Sequence, residues 1–359
     1  MTVCGTSPTD DLALIRCARR AADELLVDLG VPVRKAFDVA TPRGFDAAVS
    51  RLAALLRRLV RVSEAEAVRQ AVAVLDVDWR VMTPARRSQL VRQALAAAGR
   101  VVSTVHEQVR APLGRAASDV VAATRSDGRR RGLAIAADFN AVDRRAVAYV
   151  LRANSLFVRD EYGRRLDWFG IEAKRIVARG LEDGLGRDEI AGDLSRAANA
   201  AMVQRSASYW DVIAASFVGE ARSLSQISSY AEAGIERYML SAVLDEHTTD
   251  TCRFLDGKVI QTEDAVRMLD RMESTDEPAA IKQVRPWVRE RFGEDGKRAL
   301  VVDRDGERKL LAVVERSGVG ARDDRGAYSQ AVSGRELAPA GIGFPPFHGL
   351  CRTTTVADV

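Results

Sequence analysis

From residue 8 to about 235, apolar positions recur at helical spacing. Leu52, Leu55, Leu56 and Leu59 form one stripe. Val91, Leu95, Val101, Val102 and Val105 form a second, and Ile171, Ile176, Val177 and Leu181 a third. A 3.6-residue period puts such positions on one helix face, so each stripe predicts a core-facing surface rather than a cofactor site. Ser7-Pro8, Thr41-Pro42 and Thr83-Pro84 each set a capping hydroxyl before a proline suited to the first turn. Gly184 and Gly186 punctuate one helix end, a short amphipathic helix follows over 187–197, and a long helical run over 200–233 stops at Gly234.

After Gly234 the pattern changes. Residues 238–244 are rich in Leu, Val and Tyr and predict a strand. Residues 299–302 and 310–314 flank Asp303-Arg304-Asp305-Gly306, a hairpin signal. Residues 270–298 carry mixed charge and 316–343 are rich in Gly, Arg, Asp and Ser, so both are expected as surface insertions or loops. The predicted fold is α+β and mostly helical: a helical N-terminal domain over 1–160, a helical lead-in over 161–235, and a small α+β domain over 236–359 with short strands, a hairpin and an insertion over 264–340.

Composition narrows the class. Apolar residues make up 47% of the 359 and charged residues 29%, which excludes a disordered or collagen-like chain and allows a sizeable core. Net charge is only +4. That permits nucleic acid as a partner without pointing to it. Cys4, Cys17, Cys252 and Cys351 are too scattered for a disulfide framework, which fits a reducing cytoplasm. Neither a signal peptide nor a membrane-spanning run of about 18 apolar residues is expected.

The common catalytic signatures fail. His106-Glu107 begins like a helical zinc-protease motif, but Arg110 stands where the second histidine belongs. Gly293 to Lys297 is too short for a phosphate-binding loop, and no Gly-x-Ser-x-Gly elbow occurs. No catalytic residue is assigned.

Chemistry-bearing residues concentrate in two segments. The first, 245–258, holds Asp245, His247, Thr248, Thr249, Asp250, Cys252, Asp256 and Gly257. The second, 344–352, holds Pro345, Pro346, His348, Cys351 and Arg352. Asp256-Gly257 predicts a tight turn into a short strand at Lys258-Val259-Ile260. Pro345-Pro346 predicts an extended entry. The two segments are expected to lie against each other, with Cys252, His348 and Cys351 clustered and with His247 or Asp250 as a fourth ligand if a structural zinc is held. Two buried thiols and a histidine satisfying one another is the plainer alternative, and a Cys252–His348 nucleophilic pair is a third. Asp245, Asp256 and Arg352 read as turn caps and ion-pair partners at this closure.

This ordered set resembles the Mu F-like phage head morphogenesis family of minor head proteins. That family's C-terminal domain is similar to Asp-x-Arg-Thr-Cys-x-x-Cys-x-x-Leu-Asp-Gly, a variable insertion, then Pro-Pro-x-His-x-x-Cys-Arg-Cys. The lead-in over 175–194 and Ala231-Glu-Ala-Gly234-Ile235 is similar too, so the resemblance spans roughly 170–359. Thr249 and Thr353 stand where members carry cysteine, and His247 stands in place of a common arginine. The resemblance implies a minor capsid protein of a phage, prophage or gene transfer agent. It would attach to portal or capsid proteins, act in head assembly and in DNA packaging or delivery, and pass from the host cytoplasm into the particle. A toxin-like enzyme built on the same domain and a host DNA-binding protein are the alternatives. That context also suggests non-specific contact with double-stranded DNA through the arginine-rich stretch between 125 and 179, above all Arg129, Arg130, Arg131, Arg144 and Arg145.

Overall fold

The computed structural model describes residues 39–358, apart from 294–295 and 321–323. Ser7-Pro8, Cys4 and Cys17 lie outside the described residues. The helices are α1 (Pro42–Leu75), α2 (Pro84–Val102), α3 (Val105–Arg130), α4 (Ala141–Glu182), α5 (Arg187–Asn199) and α6 (Ser206–Glu232), with a π-helical turn over Ala200–Gln204. The expected caps are in place. The Thr41 hydroxyl accepts from Gly44 N–H at 3.1 Å, and the Thr83 hydroxyl accepts from Arg86 N–H at 3.3 Å. At Gly184 and Gly234 the backbone turns to φ +71°, and Leu185 and Ile235 N–H reach back to Gly180 and Tyr230 carbonyls. Those bonds satisfy carbonyls that a helix end otherwise leaves bare.

The stripes are only partly core. Leu52, Leu56, Val91, Val102, Val105 and Val177 are buried, but Leu55, Leu59 and Ile171 are exposed. The buried face of α4 runs instead through Phe169, Ala173 and Val177. Gly170 lies directly beneath Leu95 of α2, and a Cβ there would stand 2.7 Å from a Leu95 methyl. A side chain at Gly170 would push the Leu95 methyl aside at this crossing of α2 and α4.

Helix α6 is the centre of the fold. It touches α1, α3 and α4. Ala, Ser and Gly supply much of its length, so neighbours approach on several sides. Beyond Gly234 come β1 (Arg237–Ser241), α7 (Asp250–Leu255), β2 (Val259–Gln261), α8 (Thr262–Glu273), α9 (Pro278–Val284), β3 (Arg289–Phe292), β4 (Arg298–Arg304), β5 (Glu307–Arg316), β6 (Ala327–Ser329), α10 (Gly334–Leu337) and β7 (Thr354–Ala357). All strands among the described residues lie in this part, which makes the fold α+β and mostly helical. They form two antiparallel sheets, in the orders β2-β1-β7 and β3-β4-β5-β6. The β4–β5 hairpin turns at Asp305 and Gly306, both at positive φ, between the paired Arg304 and Glu307. A two-residue turn of this hand matches the strand twist. Helix α6 also touches α8 and β7, so the helical and α+β parts share one packed interior. No described helix is long and apolar enough to cross a membrane.

Candidate functional site

The two motif segments meet. In the first, Asp245 Oδ1 accepts from His247 N–H at 2.9 Å and from the Thr248 hydroxyl at 3.0 Å, which shapes the turn ahead of α7. Thr249 caps α7, its hydroxyl accepting from Cys252 N–H at 3.3 Å. Asp256 Oδ1 accepts from Ala242 N–H at 2.9 Å, and Gly257, at φ +79°, donates to Leu240 O at 2.8 Å. Cys252 is thereby fixed on one turn of helix braced at both ends.

The second segment is held from below and from the side. Pro345-Pro346 is a cis bond between the buried Phe344 and Phe347; the entry bends here and is not the extended segment expected. The Tyr238 hydroxyl donates to Gly343 O at 3.0 Å, Val288 N–H to Phe347 O at 3.0 Å, and the Ser216 hydroxyl to Gly349 O at 3.2 Å. Arg222, buried on α6, donates to Val39, Arg352 and Thr353 carbonyls at 3.2, 3.1 and 2.7 Å and stacks on Phe45. Burial without a carboxylate partner pulls this guanidinium down to about 10.

Between them, Cys252 Sγ lies 3.0 Å from His348 Nε2 and 3.7 Å from Cys351 Sγ. The Thr249 hydroxyl is 3.1 Å from His348 Nε2. Both cysteines are buried free thiols, and His348 is half-buried. Asp245 pairs with Arg352 across the seam, and Asp256 pairs with Arg325 at 2.8 Å. Burial opposes ionisation of Asp245, but Arg352, His247 N–H and Thr248 outweigh it and hold the carboxyl below its usual value.

The cluster is the expected one, with corrections. The Cys252, His348 and Cys351 ligand atoms all lie within 4.8 Å of one another and can hold a metal. Zinc–sulfur bonds of about 2.3 Å in a tetrahedron set sulfurs about 3.8 Å apart, close to the spacing here. His247 is not a fourth ligand: its side chain is exposed and its near neighbour is Glu246. Asp250 is not one either, because Arg298 pairs with it at 3.0 Å and the Ser317 hydroxyl donates to it. Among the described residues no other His, Cys, Asp or Glu completes the set. Thr249 and Thr353 stand beside it instead. The Thr353 hydroxyl is buried with no hydrogen-bond partner among the described residues.

The neighbouring Cys351 thiol and burial push the Cys252 pKa well above the usual thiol range. Cys351 is the readier anion. Burial opposes this, but Cys252 as donor, His348 and Phe347 N–H outweigh it and hold the thiol below its usual range.

Comparison with protein-family models, with curated proteins and with solved structures finds no match. The site is therefore read from its own geometry.

The arginine-rich stretch divides. Arg129, Arg130, Arg131 and Arg144 are exposed near the α3–α4 turn, with Arg130 and Arg131 both reaching Asp127. Arg145, also exposed, pairs with Asp270 and Glu273 of α8 and ties α4 to the insertion. Arg125 is fully buried between Asp143 and Glu232, at 2.7 and 2.8 Å. Sequence reasoning also passed over Arg222 and Glu220, which pairs with Arg285. Their signal was charge on a helix with no polar face, which demands a buried partner.

Proposed function

We propose that this chain is a minor head protein of a tailed phage, prophage or gene transfer agent, acting at the portal or inner capsid in head assembly and DNA packaging or delivery. The observation that carries the reading is the closure itself. The two segments behind the family resemblance, separated by the four-stranded sheet and its helices, come together through Cys252, His348 and Cys351 and through the Asp245–Arg352 pair. A large insertion between the two segments is tolerable because loop-closure cost grows only slowly with length, and the closure ties its ends locally.

In this reading Cys252, His348 and Cys351 are the residues that would hold a structural zinc, three of the four ligands such a site uses, and a metal there would cross-link the two segments and contribute directly to folding. The exposed Arg129, Arg130, Arg131 and Arg144 meet packaged double-stranded DNA through its phosphates, without sequence preference. The genes flanking this one give the first test. Portal and terminase genes beside it are expected, and a neighbourhood of unrelated metabolic or toxin–immunity genes would overturn the reading.

A further inference from the structure

Helix α1 has a second apolar face. Its core side is filled by Leu52, Ala53, Leu56 and Val60, all buried. Leu55, Leu59 and Val62, spaced i, i+4 and i+7, are exposed at 38%, 38% and 72%. Such spacing makes one continuous stripe along a helix. A lone exposed leucine needs no explanation, but three in register on one helix form a patch.

Charge beside the stripe is of one sign. Residues 47–63 contain Arg51, Arg57, Arg58 and Arg61 and no Asp or Glu. Arg57 turns toward Asp211 on α6, while Arg58 and Arg61 stay exposed on the outer side. The flanking acids along α1 are engaged elsewhere: Asp46 lies 3.7 Å from Arg352, Glu64 is buried in the core, and Glu66 is held by Arg69 and Gln70.

We propose that this outer face of α1 docks an amphipathic helix of a protein partner, one that carries carboxylates beside its own apolar stripe. Apolar side chains at i, i+4 and i+7 are the anchors such a helix fits, and arginines alongside select an acidic one. A second copy of the same face would bring arginine against arginine, which charge disfavours. Nucleic acid would use the arginines but leave Leu55, Leu59 and Val62 unanswered, since phosphate contacts need no apolar stripe. The surface is independent of the Cys252–His348 closure and of the function proposed above.

The test uses the full chain and two synthetic helices of about 15 residues or more, long enough to hold helical structure. Both carry leucine at helical spacing, one flanked by Glu and one by Lys. The Glu helix is expected to bind and the Lys helix not. Arg58→Glu with Arg61→Glu should weaken the Glu helix by about tenfold or more and let the Lys helix bind. Val62→Ser should weaken the Glu helix too. If the double variant unfolds, Arg58→Gln with Arg61→Gln replaces it and should weaken the Glu helix alone. Equal binding of both helices, or no effect of Val62→Ser, overturns the proposal. So does duplex DNA binding that the arginine variant abolishes and Val62→Ser leaves intact, which assigns the face to phosphates. A wild-type dimer in sedimentation that Val62→Ser dissociates assigns it to a second copy and likewise overturns it.

Discussion

Cys252 Sγ lies 3.0 Å from His348 Nε2 although 96 positions separate the two residues. Everything between them, including the four-stranded sheet, leaves and returns to this contact. Cys252→Ser removes one of three soft ligands at the seam. With zinc bound, the variant should lose several kcal/mol of stability and its metal, and a chelator should lower the wild-type melting temperature but not the variant's. Elemental analysis should find one zinc per wild-type chain. Wild-type melting unmoved by chelator, with the substitution costing only about 1–3 kcal/mol, would mean packed thiols without metal.

Arg125 and Asp143 form a fully buried pair, shared with Glu232, that joins α3, α4 and α6. Removing Asp143 leaves Arg125 held by Glu232 and the Ala136 carbonyl alone, with one of its donors unanswered in the core. Asp143→Ala should cost about 1–3 kcal/mol, read as a lower urea midpoint. A change under about 1 kcal/mol would show the charge reaching solvent.

Glu64 supplies a pH signature. Burial raises its pKa above 4.5, against hydrogen bonds from Ser206 and Tyr162 and the charge of Arg165. Between the ordinary and the raised value the folded state holds a proton that the unfolded state has released. This contribution to stability is therefore present at low pH and lost as pH rises through the folded pKa. The melting temperature of wild type relative to Glu64→Gln should rise as pH falls through that window. A difference that stays flat or reverses contradicts the assignment.

DNA binding, on the proposed reading, is weak at physiological salt and tightens as salt is removed. Changing Arg129, Arg130 and Arg131 together to Ala should lower the magnitude of the log–log salt slope by up to about 3, one phosphate contact each. Arg145→Ala should leave the slope unchanged and lower stability instead, because its partners are Asp270 and Glu273. An unchanged slope in the triple variant would count against these residues as the DNA contact.

Much of this architecture was legible from local chemistry. Thr41-Pro42, Thr83-Pro84, Gly184, Gly234 and Asp305-Gly306 act through their own backbone, and each does what its neighbours in sequence dictate. The Cys252–His348–Cys351 cluster was legible because few other residues offered such ligands. The rest depended on tertiary placement. Residues 289–292 and 327–329 read as loop, yet form β3 and β6. Both are edge strands, and β3 (Arg-Glu-Arg-Phe) carries the charge that edges tolerate. Arg125 looked like part of a basic face until α4 and α6 brought Asp143 and Glu232 to it. His247 has a ligand's chemistry but sits on the outer side of its turn, which spacing alone did not reveal.

Quantitative mass spectrometry of purified, DNA-filled particles from a producing strain tests the central claim most directly. The account predicts this chain at a few copies per particle, far below the major capsid protein, retained through nuclease treatment and density-gradient purification. Complete absence from such particles, with the chain abundant in the producing cells, would contradict it.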